Sequence, residues 1–277
     1  MNTPAQPRTR KRFGQHFLHD PQVIERIIDA FNPRAGEKIV EIGPGRGALT
    51  GRLLAATGRL DVIELDRDLA AGLPDRFPDH GNLTVHGSDA LRFDFTTLAQ
   101  APHELRIIGN LPYNISTPLI FHCLDHAAVI HDMLFMLQRE VVQRMTAAPD
   151  SKTYGRLSVM TRFACEVESL FSVGAGAFQP PPKVDSAVVR LVPHRTPLFP
   201  DIDPAALDEI VRRAFSQRRK TLRNSLGAVL PAKAIQAAGI DPGQRAEQLN
   251  LAQFAALADA LSSTYTNSPP VDNFVDK

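Results

Sequence analysis

Apolar residues Val23, Ile24, Ile27, Ile28 and Phe31 recur at helical spacing, and behind them the period of the pattern changes repeatedly. Asp20 followed by Pro21 supplies an N-cap and first helical residue, and Pro33 with Gly36 ends that helix. Short apolar runs then alternate with helical stretches. Strands are predicted over Lys38–Ile42, Leu60–Glu64, Leu83–His86, Leu105–Gly109 and Met133–Leu137. Helices are predicted over Gly47–Ala56, Arg67–Arg76, Thr117–Ala128, Glu140–Ala147 and Tyr154–Cys165. Glu166–Val173 and Ala187–Val192 alternate less cleanly and read as an antiparallel pair closing the sheet. Strand–helix alternation of this kind implies an α/β fold, a mostly parallel sheet covered on both faces.

Past His194–Pro200 the strand pattern stops, and Pro204–Ala214, Leu222–Leu230, Ala232–Ala238 and Leu251–Leu261 read as helices. The expected organisation is therefore a basic, disordered tail over residues 1–12, an α/β domain over 13–199 and a small all-helical domain over 200–262. Residues 263–277, with Pro269 and Pro270 and little to bury, are expected to form a flexible tail. No internal repeat is visible.

Composition changes this picture little. The 277 residues are 43% hydrophobic and 22% charged, as in an ordinary soluble enzyme, with a net charge of +1. Charge distribution says more. Arg8, Arg10, Lys11 and Arg12 cluster at the start, and Arg212, Arg213, Arg218, Arg219, Lys220 and Arg223 share a twelve-residue run without an acid. Such runs suit a polyanion, although solvated basic helix faces look the same. Cys123 and Cys165 are the only cysteines and form no CxxC pair, so neither a disulfide framework nor a thiolate metal site is indicated. No apolar stretch approaches the ~20 residues of a membrane span, and the N-terminus is too polar for a secretory signal. Cytoplasmic residence and no membrane partner are the expectation.

Candidate chemistry begins at Glu41-Ile42-Gly43-Pro44-Gly45-Arg46-Gly47, straight after the first predicted strand. Glycines there let the backbone turn tightly and approach a ligand closely. Glu64, twenty-one residues beyond Gly43, ends the next strand and can accept hydrogen bonds from ribose hydroxyls. A dinucleotide fits this spacing too, but its third glycine would come one residue later. A loop led by Glu41 suits the sulfonium cation of S-adenosylmethionine better than it suits a diphosphate. Asp89, closing the third strand ahead of Ala90, can accept from an adenine amine or merely cap a turn. Asn110-Leu111-Pro112-Tyr113 follows the fourth strand, where ligands of open parallel sheets bind. The Asn110 side-chain oxygen and the Pro112 carbonyl can accept both hydrogens of an adenine N6 amine. That localises its lone pair and favours the developing tetrahedral nitrogen. Tyr113 can stack on the base. No metal and no general base of tuned pKa are expected.

With these motifs in order, the sequence resembles the ribosomal RNA adenine dimethyltransferase family, in particular its bacterial small-subunit branch, from Arg12 to about Leu261. Carrying the resemblance are Phe13-Gly14-Gln15-His16-Phe17-Leu18, the Gly43 turn, Glu64, Asp89, the run Asn110-Leu111-Pro112-Tyr113-Asn114-Ile115-Ser116, and Phe178-Gln179-Pro180-Pro181-Pro182-Lys183-Val184-Asp185-Ser186. His16 departs from the asparagine often found there.

The resemblance implies a Rossmann-like methyltransferase fold that binds S-adenosylmethionine and releases S-adenosylhomocysteine. Implied cofactor contacts are Gln15, His16, Leu18, Gly43, Gly45, Glu64, Leu65, Asp89, Ala90 and Asn110. The implied catalytic group is Asn110, Pro112, Tyr113 and Phe178, the two aromatics clamping a flipped adenine. Arg212, Arg218, Arg219, Lys220 and Arg223 would face RNA backbone. The implied substrate is a pair of adjacent adenines in the 3′-terminal hairpin of small-subunit ribosomal RNA, within an immature 30S particle. The enzyme is expected to work as a monomer and to consume four cofactor molecules per subunit. The rivals are a large-subunit RNA methyltransferase of the same superfamily, and an assembly or transcription factor without essential catalysis.

Overall fold

The structure, a computed structural model, describes residues 16–78 and 82–266. Its elements run β1 (Phe17–Leu18), α1 (Pro21–Phe31), β2 (Lys38–Ile42), α2 (Thr50–Thr57), β3 (Leu60–Ile63), α3 (Arg67–Arg76), β4 (Leu83–His86), β5 (Leu105–Asn110), α4 (Ser116–Asp125), β6 (Ile130–Gln138), α5 (Arg139–Thr146), α6 (Arg156–Ala164), β7 (Cys165–Val173), β8 (Phe178–Gln179) and β9 (Ser186–Pro193). Helices α7 (Pro204–Ser216), α8 (Leu222–Leu226), α9 (Ala232–Ala237) and α10 (Leu251–Thr266) follow.

Local chemistry explains the boundaries. Asp20 accepts from the backbone N–H groups of Gln22 and Val23 and so starts α1, while Asn32 ends it in the left-handed region at φ 51°. Helix α2 begins at Thr50 and not at Gly47, because Gly47 has φ 81° and cannot join a right-handed helix. Helix α4 stops at Asp125, and β6 starts at Ile130, which pairs with Leu105. Helix α8 ends at Leu226, short of the expected Leu230, and α10 runs on to Thr266.

Seven strands form one sheet in the order β4-β3-β2-β5-β6-β9-β7. The first five are mutually parallel, and β9 pairs antiparallel with both β6 and β7. Strands β5 and β6 are buried along almost their whole length, as expected where helices cover both faces. Chain order reverses on either side of β2, which neighbours β3 on one edge and β5 on the other. The carboxyl ends of β2 and β5 therefore flank a topological switch point, the place where open sheets take ligands.

A second sheet was not legible in the sequence. Strands β1 and β8 pair antiparallel, with Phe17 opposite Gln179 and Leu18 opposite Phe178.

The chain divides into two compact units. One runs up to Thr146 and resumes over Ala164–His194; the other takes Ala147–Phe163 and the residues from Arg195 on. Expectation placed 147–163 in the α/β domain, but polar contacts bind this segment to the helical one. The Tyr154 hydroxyl donates to the Leu249 carbonyl at 2.8 Å, Arg156 pairs with Asp208 at 2.7 Å, and the Asp150 N–H donates to the Glu247 carbonyl. Tyr154 is only 2% exposed, and its ring meets Phe215, which in turn meets Phe254.

Candidate active site

A cavity opens at the switch point, and its walls come from the ends of β1, β2, β3, β5 and the segment after β4. Gly43, Gly45 and Gly47 have φ of 66°, 57° and 81°, so three successive alternate residues hold the turn in the left-handed region. At Gly45 a Cβ would come within 3.1 Å of the Phe17 ring, which lies beneath the loop. Gly109 serves a different purpose: a Cβ there would sit 2.5 Å from the Ile42 carbonyl, so only glycine lets β5 lie this close to β2.

Four carboxylates line this cavity, Glu41, Glu64, Asp66 and Asp89, of which the two glutamates come from the ends of β2 and β3. Glu64 is 7% exposed; its two oxygens accept from the Gly45 N–H at 3.1 Å and the Asp66 N–H at 2.9 Å. Burial pushes its carboxyl above the usual range, and those backbone donors pull partly back. Glu41 is 2% exposed and accepts from the Thr50 hydroxyl at 2.7 Å. Burial pushes it up to about 7, against the pull of Thr50 and with a push from Glu64. Among the described residues no lysine, arginine or histidine forms an ion pair with either group.

Further around the wall, Leu65 is 49% exposed, an apolar side chain left open at the cavity. Asp89 accepts from the Leu91 N–H at 3.0 Å, the turn-capping bond, and also lines the cavity with Ala90. The Ser88 hydroxyl is buried there without a hydrogen-bond partner among the described residues. Sequence reading passed over Ser88, although its place beside Asp89 at a strand end was the available signal. Arg46 was also passed over. It lines the cavity with its guanidinium 4.4 Å above the Phe17 ring.

The chemical end is built on β5. Asn110 is its last residue, and its side-chain N–H donates to the His16 carbonyl at 3.1 Å. A carbonyl can only accept, so the amide nitrogen must face His16 and the amide oxygen must turn the other way. The Pro112 carbonyl receives the Ile115 N–H, leaving its second lone pair. The Tyr113 hydroxyl shares a 2.6 Å hydrogen bond with the Ser186 hydroxyl, and burial raises the phenol above its usual range. His16 donates through Nδ1 to the Pro180 carbonyl at 2.8 Å, and its ring stacks on Tyr113 with centroids 5.6 Å apart. His16 and Leu18 both line the cavity; Gln15 lies outside the described residues.

Phe178 is placed otherwise. It is 2% exposed and packs in the hydrophobic core with Leu18, Ala177 and Val188, away from the cavity wall. Strand alternation explains why: with Gln179 pointing out, Phe178 points in. The aromatic that meets Tyr113 is His16, and the expected two-sided clamp is not the arrangement found.

In the helical unit the acid-free run meets acids brought from elsewhere. Arg212 and Arg213 both pair with Glu209, and Arg218 pairs with Glu247 at 2.8 Å. Arg219, Lys220 and Arg223 are exposed and enter no ion pair among the described residues. Arg245 joins them through a backbone bridge with Thr221, a neighbour that no local pattern announces.

Comparison with known proteins agrees with this geometry. The sequence model of the ribosomal RNA adenine dimethylase family matches residues 6–263. A ribosomal RNA small subunit methyltransferase A from Pseudomonas putida is 57% identical over 262 residues, covering 95% of this chain and 98% of the relative. Among solved structures, a dimethyladenosine transferase from Plasmodium falciparum superposes with a TM-score of 0.78 at 25% identity, covering 90% of this chain and 98% of that one. The 23S rRNA methyltransferase ErmE gives 0.68 at 28% identity, covering 89% and 99%. Fold and cavity thus define a Rossmann-like S-adenosylmethionine-dependent methyltransferase. More narrowly, the chain belongs to the ribosomal RNA adenine dimethylase family.

Proposed function

We propose that this enzyme transfers methyl groups from S-adenosylmethionine to N6 of two adjacent adenosines in the 3′-terminal hairpin loop of 16S ribosomal RNA, giving N6,N6-dimethyladenosines. One observation carries the reading: Asn110 is held by the His16 carbonyl so that its amide oxygen is free to accept, at the carboxyl end of β5 and within one cavity with Glu64. Identity of 57% to a small-subunit enzyme, against 28% to the 23S enzyme, favours the small-subunit substrate.

The cavity fits the methyl donor. Its loop puts glycine at 43, 45 and 47, Glu41 and Glu64 form no ion pair among the described residues, and Ser88 offers a buried hydroxyl without a partner among them. Gly43, Gly45, Glu64, Leu65, Asp89 and Ala90 would hold the nucleoside part, with His16 and Leu18 closing the other side and Glu41 facing the cationic part. When bound, S-adenosylmethionine supplies a methyl group activated by its sulfonium.

The protein's part is to make a poor nucleophile attack. Asn110 Oδ1 and the Pro112 carbonyl accept the two N6 hydrogens, drawing the lone pair out of conjugation with the ring and matching a tetrahedral nitrogen better than a planar one. Tyr113 presents a face for stacking, and its hydroxyl, fixed by Ser186, prevents the ring from turning away. The nitrogen becomes strongly acidic only after transfer, so its proton leaves to solvent without a dedicated base.

Exposed Arg219, Lys220 and Arg223, assisted by Arg212 and Arg218, grip RNA phosphates through the helical unit. The substrate is the immature 30S particle, met by a monomer in the cytoplasm, where the modification can also gate subunit assembly.

The test is incubation of unmethylated small subunits with tritiated S-adenosylmethionine, followed by nucleoside analysis. Label should appear as N6,N6-dimethyladenosine in 16S RNA; label in 23S RNA would transfer the assignment to the large subunit. Asn110→Ala should slow single-turnover transfer by more than about 30-fold, the equivalent of ~2 kcal/mol. An unchanged rate would remove Asn110 from the mechanism.

A further inference from the structure

The segment between β8 and β9, Pro180 to Asp185, is held at several points. The His16 ring donates to the Pro180 carbonyl. The Arg139 N–H donates to the Asp185 carbonyl at 3.0 Å, and the Arg139 guanidinium lies 3.4 Å from the Asp185 carboxylate. Immediately beyond, Ser186 is hydrogen-bonded to Tyr113. Three consecutive prolines, Pro180 to Pro182, stiffen the chain further, and Pro182 is buried.

A segment tied down this firmly would be expected to bury its apolar side chains, yet Val184 is 47% exposed. The other large exposed hydrophobics among the described residues are Leu65, on the cofactor cavity, and Leu198, in the helical unit. Lys183, next to Val184, is exposed and forms no ion pair among the described residues, and Pro181 is exposed as well. Val184 stands two residues from the hydroxyl that fixes the Tyr113 ring.

We propose that Pro181, Lys183 and Val184 form a lip that receives the nucleotide next to the target adenine, with Val184 against its base or ribose and Lys183 on its phosphate. This rests on the placement of the target base at Asn110–Tyr113. Rigid apolar surface beside an unpaired cation matches the two halves of a nucleotide, and a pre-ordered lip loses little conformational entropy on binding. Asp185 does not oppose the phosphate, because Arg139 already stands against its carboxylate. Continuity selects RNA as the partner: whatever enters the cavity base-first must lay its adjoining nucleotide across the rim. The lip also gives a physical basis for acting on two neighbouring adenines, one in the cavity while the other waits outside.

Three measurements test the lip, each on the full chain with unmethylated small subunits. Val184→Asp should raise the subunit concentration for half-maximal methylation about tenfold, while calorimetric affinity for S-adenosylmethionine stays at the parental value and reports an intact fold. Val184→Leu should restore parental behaviour. Lys183→Ala should reduce the slope of log affinity against log salt by about 1. A photoreactive benzoylphenylalanine in place of Val184 should crosslink to 16S RNA beside the two adenines. Unchanged half-maximal concentration in Val184→Asp, or crosslinks confined to ribosomal protein, would overturn the proposal. If instead the parental enzyme made no N6,N6-dimethyladenosine, or Asn110→Ala kept the parental rate, the underlying placement of the base would fail, a distinct result.

Discussion

The sheet carries buried charge at both ends of its strands, and the two ends are treated in opposite ways. At the amino end of β5, Arg106 is 8% exposed and donates five hydrogen bonds: two to Asp132 at 2.7 and 2.8 Å, one to Glu37, and one each to the Phe31 and Asn32 carbonyls. Every guanidinium N–H is used, and the group also covers the Phe31 ring at 4.3 Å. Burial pulls its pKa down, but Asp132 and Glu37 outweigh it and leave the arginine above its usual range. At the carboxyl end, Glu41 and Glu64 are buried as deeply, with the Thr50 hydroxyl and backbone N–H groups as their partners and no ion pair among the described residues. A closed ion cluster belongs to the fold, whereas buried carboxylates without a counter-ion are half of an interaction. Under the proposed function, Glu41 faces the cationic part of S-adenosylmethionine and Glu64 takes its ribose hydroxyls.

The comparison is sharpest where its two ends respond differently. Arg106→Ala, which strands Asp132 in the interior, should destabilise the protein by about 3–5 kcal/mol in urea unfolding, with little change in cofactor affinity per folded molecule.

Glu41→Gln should do the reverse. The Glu41 carboxyl is raised from its ordinary 4.5 to about 7, so the folded state holds that proton more tightly than the unfolded one. The stability this provides is fully present below about pH 4.5 and is lost as pH rises through about 7, a cost of about 3 kcal/mol at pH 8. The glutamine variant should therefore melt higher at pH 8 without ligand, yet bind S-adenosylmethionine more weakly. In the parental protein cofactor affinity should fall as pH drops below about 7, with proton release on binding near neutrality; pH-independent calorimetry would detach Glu41 from the cofactor.

Glu64→Ala should weaken cofactor binding by about 1.5–3 kcal/mol, more than tenfold. An unchanged dissociation constant in a folded variant would mean the ribose lies elsewhere. The smallest effect is expected from Tyr113→Phe. Losing the bond to Ser186 should cost about 0.5–1.5 kcal/mol, visible in methyl transfer and not in cofactor binding.

Most of the cavity was legible because its determinants are local. A glycine turn after a strand, an acid at the next strand end and a polar run after the fourth are short patterns, and a parallel sheet brings all its carboxyl ends together. The misreadings involve partners outside the motif being read. Only the family resemblance offered Phe178 as a stacking residue; its strand pairs with Leu18, and its ring lies in the core. Segment 147–163 followed the α/β domain in sequence but joined the helical unit through Leu249 and Asp208. The basic run contained no acid, yet Glu209 and Glu247 neutralise part of it from outside, leaving Arg219, Lys220 and Arg223 as the cations to test.

The arrangement of β1 and β9 has a consequence for the chain as it is made. Strand β9 is the last of the α/β unit to be synthesised, but it sits between β6 and β7, and β8 is what pairs with β1 near the beginning. A nascent chain that has emerged only to α5 already owns the glycine turn, Glu64 and Asn110. It still lacks the Pro180 carbonyl that holds His16, and the Ser186 hydroxyl that holds Tyr113. At roughly 5–20 residues per second, some seconds of elongation separate the two stages. The fixing of His16 and Tyr113, and with it the completed chemical end of the site, thus waits until nearly the whole α/β unit has been made.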